Sequence, residues 1–206
     1  MHAVLMTLNY LAEPNKVRLL IFDTKGIDYA GFETMPHLLA RVHTAPGEIL
    51  TCLKWLIVEM NVRFQTFAKI GSRDIDSYNQ KIESSNETSA LMPRIIIFLD
   101  ELTSLTHGGG EDSSIFLARI CQKARACGIH VIATVQKASA ENIPSDLKAQ
   151  FTSRLSFKQA SHWDSRSIVD SRGAETLSLY GEALSTTPTD SNFLYSYIPL
   201  IKEVRI

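Results

Sequence analysis

Arg94-Ile95-Ile96-Ile97-Phe98-Leu99-Asp100-Glu101 is the stretch from which the rest of this 206-residue chain is read. Five apolar residues run without a break into two adjacent carboxylates. A continuous run of β-branched and aromatic side chains reads as a strand buried on both faces, the kind that parallel sheets contain. Two acids at the end of such a strand are costly to bury unless something receives them. Either they hold a ligand, or the strand simply ends at two solvated side chains.

Val17-Arg18-Leu19-Leu20-Ile21-Phe22-Asp23 repeats the pattern and runs into Thr24-Lys25-Gly26. His130-Val131-Ile132-Ala133-Thr134-Val135-Gln136 repeats it again and closes on an amide. In open α/β sheets, ligands gather at the carboxyl ends of the strands. If the three strands are parallel, Asp23, Lys25, Asp100, Glu101 and Gln136 share one rim. Plainer readings stand beside this one: a turn with a local ion pair for Asp23 and Lys25, a cap on the following segment for Gln136. The pair Asp100-Glu101 matches the Walker B arrangement of P-loop ATPases. There the first acid holds the Mg²⁺ of Mg·ATP, usually through water, and the second orients and polarises the attacking water.

Between these strands the periodicity changes. Val4, Leu5, Leu8 and Leu11 have helical spacing, with no capping residue ahead of them. Leu50, Leu53, Trp55, Leu56, Ile57, Met60, Phe64 and Phe67 predict a long helix from Gly47 to about Ile70, with Glu59 and Arg63 paired on its wet side. Val42 falls on a possible short extra strand. Residues 71–93 are polar and read as a loop. After Leu102-Thr103-Ser104-Leu105, the stretch His107-Gly108-Gly109-Gly110 reads as a flexible connection, and its glycines follow the acidic strand without a Lys-Ser or Lys-Thr, so they make no phosphate cradle. Asp112-Ser113 opens a predicted helix whose apolar face is Ile115, Phe116, Ile120, Ala124 and Cys127, with Gly128 as its stop and Arg119 and Arg125 off the face. Beyond Gln136 we expect a short helix at 145–149, a strand at 152–157, helices opening at Asp164 and Gly173, and strands near 183 and 193–198. Strand and helix alternate, which predicts a three-layer α/β domain with a mainly parallel central sheet.

Composition narrows the function classes. A net charge of −1 carries no global basic field for nucleic acid, although a ring can concentrate basic groups in a channel. Three cysteines without CxxC spacing argue against a zinc site and for a reducing compartment. No apolar run approaches the roughly 20 residues a membrane span needs, and no signal-peptide pattern opens the chain.

Four motifs, in order, resemble the motor domain of the FtsK/SpoIIIE DNA translocases, over about residues 4–184. Ala118-Arg119-Ile120-Cys121-Gln122-Lys123-Ala124-Arg125-Ala126-Cys127-Gly128-Ile129-His130 is similar to that family's "ARxxQKARAxGIH". Asp164-Ser165-Arg166-Ser167-Ile168-Val169-Asp170, with Gly173-Ala174-Glu175, is similar to "DSRTILD…GAE". Phe22-Asp23-Thr24-Lys25 is similar to "IDPK", and Met35-Pro36-His37-Leu38-Leu39 to "IPHLL".

The resemblance implies a P-loop NTPase (RecA-like) fold and a cytoplasmic ATP hydrolase that uses ATP and Mg²⁺. It further implies a homo-hexameric ring that moves double-stranded DNA, as in chromosome segregation or DNA transfer. Asp100 and Glu101 match the Walker B acids, with Asp100 the metal residue. Asp23 and Lys25 would lie on the nucleotide. Gln136 matches the polar sensor of "TQRP". Arg125 matches the arginine of "QKARA" that reaches the neighbouring subunit's ATP, with Arg119 as the fallback. An arginine suits that work because it stays charged and can bridge two phosphate oxygens.

Departures set the limits of this reading. No Gly-x-x-x-x-Gly-Lys-Ser/Thr occurs in the 206 residues, so residues 1–206 are expected to be a partial motor domain, N-terminally truncated just after its Walker A loop and inactive alone. The sensor segment here is Val135-Gln136-Lys137-Ala138, without the proline. Two alternatives stay open: a related ring ATPase for secretion or conjugation, and a degenerate, non-hydrolysing paralogue that acts as an assembly or binding module.

Overall fold

The computed structural model describes residues 1–85, 91–108, 110–137, 142–178 and 180–199. The chain divides into two compact units, one running to Thr134 and the other starting at Val135.

The first unit is built on three parallel strands, β1 (Val17–Asp23), β2 (Arg94–Asp100) and β3 (Ile129–Ala133), in the order β1-β2-β3. The apolar runs of β1 and β2 are buried as expected: Leu19 to Phe22 and Ile97 to Leu99 are closed to solvent. Burial on both faces is what a continuous apolar strand requires. Register pairs Asp23 with Asp100 and Leu99 with Ala133, so the strands end together on one rim. β3 differs from its expected form. It is only partly buried beyond Ile129, and it stops at Ala133, three residues short of Gln136. Val42 does not lie on a continuous strand. Leu38 and His43 each bridge to β1 in parallel, at Leu19 and Phe22, with the chain lifting off between them.

Helix α1 (His2–Leu11) lacks a side-chain cap, as expected, and buries only Leu5 fully. Helix α2 (Pro46–Lys69) starts with proline in its first turn, where no amide is needed, and buries Ile49, Leu53, Leu56, Met60 and Phe67. The Glu59–Arg63 pair is not on the wet side. Arg63 is buried; its Nε donates to Glu59 at 2.8 Å, and its Nη1 donates to the carbonyls of Pro93 at 2.8 Å and Cys127 at 2.9 Å. The guanidinium joins α2 to the entry of β2 and the turn before β3. Its planar fork can satisfy several carbonyls at once, which lowers the cost of burying it.

Residues 71–93 are not one loop. Helix α3 (Ile75–Ser84) occupies the middle and opens on a reciprocal cap: Ser77 N–H donates to Asp74 Oδ1 at 2.8 Å, and Asp74 N–H donates to Ser77 Oγ at 3.2 Å. Ile75, Tyr78 and Ile82 are its buried face, three apolar residues at helical spacing in a polar segment. Part of the Ser/Asn-rich stretch, 86–90, lies outside the described residues.

Of the glycine stretch expected to be a flexible connection, His107 and Gly108 end a helix, α4 (Leu102–Gly108), and Gly109 lies outside the described residues. Helix α5 (Gly110–Lys123) begins two residues before Asp112. Its buried side is Ser113, Leu117 and Ile120, whereas Ile115 is exposed. Ala124 to Gly128 form the turn that follows, so Arg125 sits on a turn, not on the helix. Gly128 has φ +77°, and a Cβ there would come within 2.4 Å of Ile75 Cδ1.

The second unit holds an antiparallel sheet of its own, β4 (Arg154–Ser156), β5 (Glu182–Thr187) and β6 (Asp190–Tyr197). These strands were expected to extend one mainly parallel sheet; they pair with each other instead. Helix α6 spans Ser145–Gln150. Helix α7 (His162–Val169) starts ahead of Asp164, on a Ser161 hydroxyl that accepts the Asp164 amide at 3.2 Å. It ends at Asp170, whose φ of +60° is held by Lys148 Nζ at 3.1 Å and by Arg154. Val169, Ala174, Leu177 and Leu184 make this unit's core.

Candidate functional site

The parallel sheet presents its acids on the carboxyl rim. Asp23 is fully buried, and its carboxylate is enclosed by backbone. Oδ1 accepts the amides of Lys25 at 3.1 Å and Gly26 at 3.0 Å; Oδ2 accepts those of Asp28 at 3.1 Å and Tyr29 at 3.3 Å. A carboxylate so surrounded is an organiser of the 24–29 loop. Of the plainer reading, the turn is present, but Lys25 does not pair with Asp23. The Lys25 ammonium reaches Asp100 Oδ2 instead, at 3.9 Å.

Asp100 is the meeting point. Besides Lys25, it receives the hydroxyl of Thr134 on Oδ1 at 2.8 Å, and its charge acts on the Tyr29 phenol. Burial pushes the Tyr29 phenol well above its usual range, and the carboxylates of Asp100, Asp28 and Asp23 push it further. Among the described residues, Asp23, Asp28 and Asp100 each offer a carboxylate oxygen within 4.8 Å of the other two. Hard oxygens at this spacing fit Mg²⁺, and of the three Asp23 has both oxygens already engaged by backbone amides.

Glu101 follows immediately at φ +63°, a conformation that L-residues adopt at a cost and that clusters at functional positions. Its amide donates to Thr134 Oγ1 at 3.1 Å, its carbonyl accepts the Ser104 hydroxyl at 2.7 Å, and its carboxylate accepts the Thr103 hydroxyl. Ser104 in turn accepts from Thr24 at 2.8 Å, tying the loop after β1 to the start of α4.

The sequence-predicted residues thus divide. Asp23, Lys25, Asp100 and Glu101 come together on the rim of the first unit. Arg125 is exposed on the turn before β3, at the other end of that strand. Gln136 belongs to the second unit. Thr134, Tyr29 and Asp28 were missed. For Thr134 a signal existed, as the first polar residue after an apolar run in a strand expected to neighbour the acids; for Tyr29 and Asp28 none did.

The fold and these paired acids define an α/β domain of the P-loop ATPase class. Solved structures show the same fold: the pCW3 conjugation coupling protein TcpA in its monomer form with ATPgS (TM-score 0.78, 21% identity, 95% of this chain and 56% of that one). The cytoplasmic domain of the Thermomonospora curvata type VII secretion ATPase EccC is another (TM-score 0.81, 19% identity, 98% of this chain and 24% of that one). The FtsK/SpoIIIE family model matches residues 1–140, and the chain belongs to that family. It is similar to the DNA translocase SftA of Bacillus subtilis, 37% identical over 89% of this chain and 19% of that protein. It is also similar to the DNA translocase FtsK of Leptospira interrogans, 36% identical over 94% of this chain and 21% of that protein. The chain therefore spans about a fifth of the length of these curated relatives. Among the described residues, no helix is long and apolar enough to cross a membrane.

Proposed function

We propose that these residues are the Walker B half of a cytoplasmic ATPase motor that assembles as a homo-hexameric ring and moves double-stranded DNA. The observation that carries the reading is the pair Asp100-Glu101 at the end of the central parallel strand, one acid facing Lys25 and the other held at φ +63°. Two relatives named DNA translocases are 36–37% identical to this chain over the aligned residues, against 19–21% for the conjugation and secretion proteins. That difference favours the DNA-translocase branch over the conjugation and secretion branches. Three free cysteines fit a reducing compartment.

In this reading Asp100 holds Mg²⁺ through water. Held there, the ion would supply positive charge to the phosphate oxygens. Lys25 adds a second positive group beside Asp100. Glu101 would orient the attacking water and take up its proton as the water oxygen bonds to the γ-phosphorus and the bond to the β,γ-bridging oxygen breaks, with ADP as the leaving group. Asp23 fixes the loop that carries Lys25. Gln136 senses the nucleotide, and Arg125 acts on the neighbouring subunit's site. The 206 residues contain no phosphate-cradling Gly-Lys-Ser/Thr loop, so alone they bind Mg·ATP weakly and do not turn it over.

The test compares ATP hydrolysis by the 206-residue chain with that of a chain joined to a Walker A segment, each with and without duplex DNA. We expect DNA-stimulated turnover only in the joined protein, and its loss on Glu101→Gln. Turnover by the 206 residues alone, abolished by the same substitution, would relocate the phosphate site. A joined protein that binds ATP and never hydrolyses it would favour the non-hydrolysing paralogue.

A further inference from the structure

Thr134 stands where the two acids meet. Its hydroxyl donates to Asp100 Oδ1 at 2.8 Å and accepts the Glu101 amide at 3.1 Å. Its own backbone is pinned on both sides: its N–H donates to Leu99 O at 3.0 Å, and its carbonyl accepts from Leu102 N–H at 2.8 Å. One residue just past the end of β3 therefore grips the last turn of β2, the Asp100 carboxylate, the Glu101 peptide and the first residue of α4. It lies one position ahead of the segment that the resemblance aligns with the sensor, where Val135 offers no polar group.

We propose that Thr134 is a positioning residue for the acid pair, a role that rests on reading Asp100 and Glu101 as the nucleotide site. Only a group that donates and accepts at once can do both jobs, and a hydroxyl is the smallest that can. By occupying Asp100 Oδ1 it leaves Oδ2 turned toward Lys25. By receiving the Glu101 amide it holds a left-handed backbone that persists only where its surroundings over-determine it. The orientation of one acid is thereby coupled to that of the other, and a cation that pulls on Asp100 also loads the peptide that carries Glu101.

Thr134→Val keeps the shape and removes both hydrogen bonds; Thr134→Ser keeps both. The two variants and the parent chain are compared by residue-resolved amide hydrogen exchange and by Mn²⁺ binding, read from water-proton relaxation. In Thr134→Val the Glu101 amide should exchange about tenfold faster or more, while the amides of β2 hold their protection. Mn²⁺ affinity should fall about tenfold, and Thr134→Ser should match the parent in both. Unchanged Glu101 exchange in Thr134→Val overturns the proposal. So does a loss of protection spread evenly over β2, or a Thr134→Ser protein that behaves like Thr134→Val. If the parent binds no Mn²⁺ and Thr134→Val still frees the Glu101 amide selectively, the positioning stands and only the nucleotide-site reading fails.

Discussion

Asp23 and Asp100 are register partners at the ends of neighbouring parallel strands, yet their surroundings are opposite in kind. Asp23 is sealed by four backbone amides of its own loop, whereas Asp100 is met by side chains: Lys25, Tyr29 and Thr134. Backbone amides cannot leave without unfolding the loop, but side chains can swing away. Of the two acids, Asp100 is therefore the one able to exchange partners when a cation or nucleotide arrives.

The enclosure of Asp23 predicts a stability effect. Asp23→Ala strips the acceptor from four amides in the 24–29 loop, and by the cost of orphaned buried groups it should destabilise the chain by about 3 kcal/mol. Urea unfolding would show this as a lower midpoint at constant slope. A loss below about 1 kcal/mol would mean that water reaches the loop and that the enclosure is not what holds it.

Tyr29 predicts an alkaline signature. Its folded pKa is raised by burial and by the carboxylates of Asp100, Asp28 and Asp23, so the neutral phenol is the favoured form. For a group raised in the folded state, the stabilisation is complete below the unfolded value of about 10 and is lost as pH climbs beyond it. Absorbance at 295 nm should show one of the six tyrosines ionising late, together with unfolding. Asp100→Asn removes one of the charges and should bring that step to lower pH; an unmoved step would separate Tyr29 from the acid pair.

Arg63 predicts that a charged residue on α2 behaves as core. Arg63→Ala leaves the carbonyls of Pro93 and Cys127 without their donor and should cost about 2–4 kcal/mol in thermal or urea unfolding. Arg63→Lys cannot reproduce the planar fork and should recover only part of the loss. Full stability in Arg63→Ala would mean that the pair with Glu59 is a surface contact after all.

Arg125 predicts complementation between subunits. In the intact motor, Arg125→Ala subunits mixed with Glu101→Gln subunits should regain ATP turnover at interfaces pairing a good arginine with a good glutamate. Hexamers that form on DNA and regain nothing would place Arg125's action within its own subunit. An Arg125→Ala ring with an unchanged rate would make it an ordinary solvated arginine, of which its exposed turn is the simplest setting.

The sequence by itself determined the parallel strands, the acids at their ends and the family, because these are local in character. An unbroken apolar run of four or five residues announces a doubly buried strand wherever it is packed, and a motif is a string. It also fixed the parallel reading of β1 and β2, since runs without alternation need cover on both faces. Tertiary structure alone decided the rest. The side of α2 on which Arg63 would lie depended on carbonyls 30 and 64 residues away, which no helical period reports. The polar segment at 75–84 became a helix because three apolar side chains found a core to enter. The partnership of Asp100 with Thr134, 34 residues apart, arose from strand register, which a chain expresses only once its strands have paired.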